Sequence, residues 1–129
     1  MENTKAKDYC ILVVEDSPSM RKYIALSLKL YGYKLILAVD GMDALEKITG
    51  KKVDLIITDL NMPNMDGFEL IKRIRRLEEF EKLPIIVLSS LSETYDIKES
   101  IRIGANTYIL KPFNIEVIQS EVQKLIGIK

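Results

Sequence analysis

The stretch "VDLIITDLNMPNMDG" (residues 53–67) carries the reading of the fold. Its first part, "DLIIT", is apolar and β-branched without in/out alternation, the pattern of a strand covered on both faces. The run then stops on a carboxylate, Asp59. Asn61, Pro63, Asn64, Asp66 and Gly67 follow with turn chemistry. A buried strand that ends on an acid puts that acid at the rim of a sheet.

Working outward, runs of the same kind recur at "CILVV" (10–14), "KLILA" (34–38), "PIIVL" (84–88) and "TYIL" (107–110). Between them lie apolar residues at helical spacing: Met20, Ile24 and Leu28, then Leu70, Ile71, Ile74 and Leu77, and finally Ile115, Ile118, Val122 and Leu125. Ser17-Pro18 offers an N-cap with proline at the first helical position, and Asp40-Gly41 opens another helix. Strand and helix alternate five times, which predicts an α/β domain: a five-stranded parallel sheet with five helices on both faces.

The totals agree with one such domain over residues 1–129. Nearly half of the residues are apolar, enough for one core and too few for two. The 19 basic residues equal the 19 acidic ones, so no net field attracts nucleic acid or an anionic membrane. A protein or small-ligand partner and a monomer are expected. No apolar run approaches a membrane span. The polar start, "MENTKAKDY", lacks a signal-peptide core, and residues 1–8 read as a flexible tail. A single cysteine, Cys10, packs as a small hydrophobe and fits the cytoplasm. Met1 and a last helix closing near Gly127 read as a complete chain. There is no histidine, so any histidine chemistry comes from a partner.

In open parallel sheets, ligands bind beyond the carboxyl ends of the strands. The first run ends on Glu15-Asp16, the third on Asp59, the fourth on Ser89-Ser90 and the fifth on Lys111-Pro112; the second, ending on Ala38-Val39, adds nothing comparable. Each of these alone is ordinary turn or surface chemistry. Together they bring three acids, a hydroxyl and a cation to one rim. Clustered carboxylates repel unless a cation joins them, and an all-oxygen site of this kind suits Mg²⁺. Lys111 and Ser89 then suit a phosphoryl group, with one acid as nucleophile.

With "ILVVEDSPSMRKYI", "DLIITDLNMPNMDGFEL", "PIIVLSS" and "GANTYILKPF" in place, the chain resembles a response-regulator receiver domain of the stand-alone chemotaxis type along nearly its whole length. The resemblance implies a flavodoxin-like, doubly wound sheet of order 2-1-3-4-5. It implies Asp59 as phosphoacceptor, Glu15 and Asp16 as the acidic pair that organises Mg²⁺ (Mn²⁺ substituting), and the backbone carbonyl of Asn61 as a further ligand. Ser89 matches the family's conformational hydroxyl, Lys111 its phosphate-binding lysine and Tyr108 its switch aromatic. A cis Lys111-Pro112 bond belongs to the same pattern.

The function so implied is a switch that catalyses only its own phosphorylation and dephosphorylation. The phosphodonor is a histidine kinase. The output protein docks on the fourth helix, fifth strand and fifth helix, where Tyr95 and Ile103 offer apolar contacts or simply pack. A flagellar motor switch protein is the expected output and a phosphatase a further partner. A relay intermediate that hands its phosphoryl group to a second histidine domain is the alternative. Asn61 and Leu91 are candidate modulators of phosphoryl lifetime. Leu91 either excludes the hydrolytic water or merely covers the fourth helix. A phosphatase with an Asp-x-Asp motif is disfavoured, since Asn61 stands at the second position. An FMN site is disfavoured because the first strand runs into Glu15-Asp16 instead of a hydroxyl- or glycine-rich cradle, and carboxylates repel a phosphate unless a metal intervenes. The segment "KRIRR" reads as a solvated helix face balanced by "EEFE".

Overall fold

Successive side chains of each inner strand enter opposite cores. In β1 (Cys10–Val14), Ile11 and Val13 join one apolar cluster while Leu12 and Val14 join the other. This two-sided burial explains the missing alternation in the sequence. The computed structural model describes residues 6–127. Its order continues with α1 (Pro18–Leu30), β2 (Lys34–Ala38), α2 (Gly41–Ile48), β3 (Leu55–Thr58) and α3 (Gly67–Arg76). A short 3₁₀ turn (Glu78–Phe80), β4 (Ile85–Ser89), α4 (Thr94–Arg102), β5 (Thr107–Leu110) and α5 (Ile115–Ile126) complete it. The five strands form one sheet of order β2-β1-β3-β4-β5, all pairs parallel, as predicted.

One face of the sheet is covered by α1 and α5, with Ile24, Leu28, Ile118 and Val122 packed on Val13, Ile57 and Leu88. The other carries Ala44 and Ile48 of α2 and Leu70, Ile71 and Ile74 of α3 against Leu12, Ile56 and Val87. Each fully buried aliphatic side chain contributes about 1.5–3 kcal/mol of transfer free energy. Helix starts follow the capping signals. The Met20 N–H donates to Ser17 Oγ at 3.4 Å, and the Asp43 N–H to Asp40 Oδ1 at 2.8 Å. α4 is the least embedded helix: only Ser100 is buried, and Glu93 makes no side-chain cap.

Two expectations change. Leu77 is exposed and caps α3 from outside, because Leu70, Ile71 and Ile74 already complete the buried stripe. Arg75 is not a freely solvated member of "KRIRR". Its guanidinium donates to the carbonyls of Phe80 (2.9 Å) and Gly104 (2.7 Å), and burial lowers its pKa. Ile103 packs against the α2–α3 core cluster, whereas Tyr95 is 73% exposed. Of the tail expected over residues 1–8, residues 1–5 lie outside the described residues. Ala6 is buried, and its carbonyl accepts from the Tyr9 N–H.

Candidate functional site

The rim residues are held in place by hydrogen bonds that extend the sheet. Val14 pairs with Thr58 in register, so Glu15 and Asp59 leave β1 and β3 side by side. The Glu15 N–H donates to Ala38 O and the Asp59 N–H to Val14 O, both at 3.1 Å, and the Lys111 N–H to Ser89 O at 2.9 Å. Backbone pairing thus aims three functional side chains at one point before any of them interacts.

Their tips meet there. Lys111 Nζ lies 3.0 Å from Glu15 Oε1 and 3.2 Å from Asp59 Oδ2, with side chains 18%, 3% and 9% exposed respectively. The second Glu15 oxygen accepts the Ser17 N–H at 3.1 Å. Asp59 Oδ1 accepts the Leu60 N–H at 2.7 Å and that of Asn61 at 3.4 Å. Asp16 is exposed, yet Glu15, Asp16 and Asp59 each offer a carboxylate oxygen within 4.8 Å of the others. The donor set is hard oxygen with one open side, which fits Mg²⁺ better than softer metals. Burial raises the Glu15 pKa against the smaller opposing pull of Ser17 and Lys111. For Lys111, burial works downward, but the Glu15 hydrogen bond and the Asp59 charge outweigh it and the ammonium ends above its ordinary value. A divalent ion would answer the same clustering of negative charge that holds Lys111 protonated.

Ser89 is fully buried at the end of β4, and its Oγ accepts the Leu91 N–H at 3.1 Å. The Tyr108 hydroxyl donates to Leu91 O at 2.6 Å from β5, and burial raises its pKa. Both residues therefore grip the backbone of Leu91, whose side chain is half-buried against the core. The Lys111-Pro112 peptide is cis.

Sequence reasoning passed over one support, Arg21, and read the other, Gly67, with Pro63 as shaping the loop after Asp59. Arg21, early in α1, donates to the carbonyl of Glu15 at 2.7 Å and to that of Asp16 at 3.4 Å, bracing the acidic pair from behind. Gly67 N–H donates to Leu60 O at 2.8 Å, and a Cβ at Gly67 would sit 2.7 Å from Leu60 Cα and overlap the Asp59 carbonyl oxygen. The need for glycine there is close approach to the backbone that carries Asp59.

Comparison with known proteins agrees with this geometry. The family described as response regulator receiver domain matches residues 11–123. The chain is 34% identical over 119 residues to chemotaxis protein CheY1 of Helicobacter pylori (strain ATCC 700392 / 26695), covering 91% of this chain and 96% of that protein. It is 36% identical over 115 residues to sensor protein EvgS of Escherichia coli (strain K12), covering 89% of this chain and 9% of EvgS. Among solved structures, CheY4 of Vibrio cholerae superposes with a TM-score of 0.86 at 34% identity, over 91% of this chain and 98% of that one. The receiver domain of the sensor histidine kinase PA1611 from Pseudomonas aeruginosa PAO1, with a magnesium ion coordinated in its active site cleft, gives 0.86 at 32% identity, over 92% and 98%. With fold, rim geometry and relatives in agreement, this chain belongs to the response regulator receiver domain family.

Proposed function

We propose that this receiver is a phosphorylation switch that takes a phosphoryl group from a histidine kinase onto Asp59 and thereby changes its affinity for a partner protein. The observation that carries this reading is the Asp59 carboxylate, nearly buried, with Lys111 on one oxygen and Glu15 and Asp16 within reach. In the transfer, an Asp59 oxygen forms a bond to phosphorus as the P–N bond of the donor phosphohistidine breaks, and the imidazole leaves with the electron pair and takes a proton. Glu15, Asp16, Asp59 and the Asn61 carbonyl would hold Mg²⁺, or Mn²⁺ in its place, which supplies neutralisation of the phosphoryl oxygens. Lys111 adds a point charge. The Ser89 hydroxyl turns from Leu91 to the phosphoryl group, and Tyr108 follows, biasing two conformations. Asn61 and Leu91 flank the path of the hydrolytic water and set the lifetime.

The output surface is α4, β5 and α5, where Tyr95, Ile101 and Leu110 are exposed. Likeness to CheY1 over 96% of that protein supports a chemotaxis role, with a flagellar motor switch protein as output and a phosphatase as a further partner. The match to EvgS, of which the chain spans 9%, supports a second reading as a relay intermediate. Intact mass after incubation with acetyl phosphate and Mg²⁺ tests the chemistry. One added phosphoryl group, absent in Asp59→Asn and with a chelator, is expected. No addition, together with no binding of beryllofluoride and Mg²⁺, would overturn the switch.

A further inference from the structure

The segment 60–66 that leaves Asp59 is gripped at its far end by a residue from another part of the sheet. Asp40 is buried at the start of α2. One of its oxygens accepts the Asp43 N–H at 2.8 Å, the ordinary work of an N-cap. The other accepts the Asn64 carboxamide N–H at 2.8 Å, across 24 residues of sequence. Asn64 sits at φ 68, a left-handed conformation that asparagine tolerates better than most residues. Beside this link, a Cβ at Gly41 would lie 2.9 Å from Met65 Cγ and 3.0 Å from Met65 O, so the start of α2 and the segment are in direct contact. Gly67 clamps the same segment onto Leu60 at its other end. Between the two clamps lies Asn61.

We propose that Asp40 and Asn64 are positioning residues of the metal site, a clasp from α2 that holds the segment carrying Asn61 in the geometry Mg²⁺ requires. The inference rests on the reading of Glu15, Asp16 and Asp59 as that site. Neither clasp residue touches the ion; both act through the backbone they hold, as outer partners of metal ligands do. The N-cap role of Asp40 is separable from the clasp, because capping uses one oxygen and Asn64 uses the other.

Two variants separate them. Asp40→Ser keeps a capping oxygen for Asp43 and gives up the reach to Asn64. Asn64→Gly accepts the left-handed backbone, removes the carboxamide and leaves the cap untouched. Titration calorimetry with Mg²⁺ alone is expected to show binding weakened on the order of tenfold in each variant, and no further in the double variant. Amide exchange of residues 60–66 in metal-free protein is expected to speed up in both. Mg²⁺ affinity within twofold of the unaltered chain in both single variants would overturn the clasp, whatever the melting temperature does. Absence of Mg²⁺ binding in the unaltered chain would instead overturn the switch reading itself, and the positioning role with it.

Discussion

At the scale of single residues, the site is a balance between Lys111 and acids that burial disfavours. Glu15 has its pKa raised chiefly by burial, so its ionised form opposes folding above that value; Lys111 has its pKa raised by Glu15 and Asp59 against burial. A raised lysine contributes stability that is complete below the ordinary lysine value and lost as pH rises through the higher folded one. Replacing Lys111 with methionine leaves Glu15 and Asp59 without their cation. A loss of about 1–3 kcal/mol is expected near neutral pH. The loss should shrink in mildly acidic buffer, where Glu15, its pKa raised by burial, takes up a proton more readily. Urea denaturation of the metal-free pair of proteins at the two pH values measures it, and an equal loss at both would show that the acids are not coupled to Lys111. Glu15, Asp59, Ser89 and Lys111 were legible in the sequence because each directly follows or ends an apolar run. Arg21 and Asp40 were not, because a brace on a backbone carbonyl and a second use of a capping carboxylate leave no mark in residue type.

At the scale of elements, the loops after β2 and β3 are fitted to one another by two glycines that start helices. At Gly67 an added methyl would overlap the Asp59 carbonyl oxygen and lie 2.7 Å from Leu60 Cα, backbone that cannot give way; at Gly41 it would meet Met65 Cγ, Cβ and carbonyl oxygen at 2.9–3.0 Å, a shallower overlap. Gly67→Ala is therefore expected to cost about 2–3 kcal/mol and Gly41→Ala less. Chemical denaturation of both variants measures this, and a Gly67→Ala protein as stable as the parent would refute the close-approach argument. Arg75 shows the same dependence on contact. From "KRIRR" it reads as one of several solvated cations, yet it joins the end of α3 to the turn before β5 through the Gly104 carbonyl, and an added Cβ at Gly104 would lie 2.7 Å from Arg75 Nε. Element type and number were readable from periodicity because burial on one or both faces imposes it. Which exposed-looking residues cross between elements depends on distances that no periodicity encodes.

For the whole molecule, the acids at the rim make the folded state the form able to bind a divalent ion, since the unfolded chain scatters Glu15, Asp16 and Asp59 over 45 residues of sequence. Mg²⁺ should then stabilise by mass action, about 2.7 kcal/mol at a hundredfold excess over Kd. Calorimetric melting is expected to rise with Mg²⁺ concentration, to fall back on chelation and to respond far less in Asp59→Asn. A melting temperature indifferent to Mg²⁺ would mean that the acids do not form a site.

By itself, the sequence determined the alternation of five strands and five helices, the two-sided burial of the sheet and the identity of the residues at its rim. These follow from local patterning and from the rule that a parallel sheet presents its strand ends on one edge. Only the tertiary structure decided that Lys111 reaches Glu15 and Asp59 together, that Ser89 and Tyr108 both hold Leu91, and that Asp40 reaches Asn64. All but the Ser89–Leu91 contact join side chains or loops distant in sequence. Their partners are chosen by strand register and side-chain reach, which exist only once the sheet has formed.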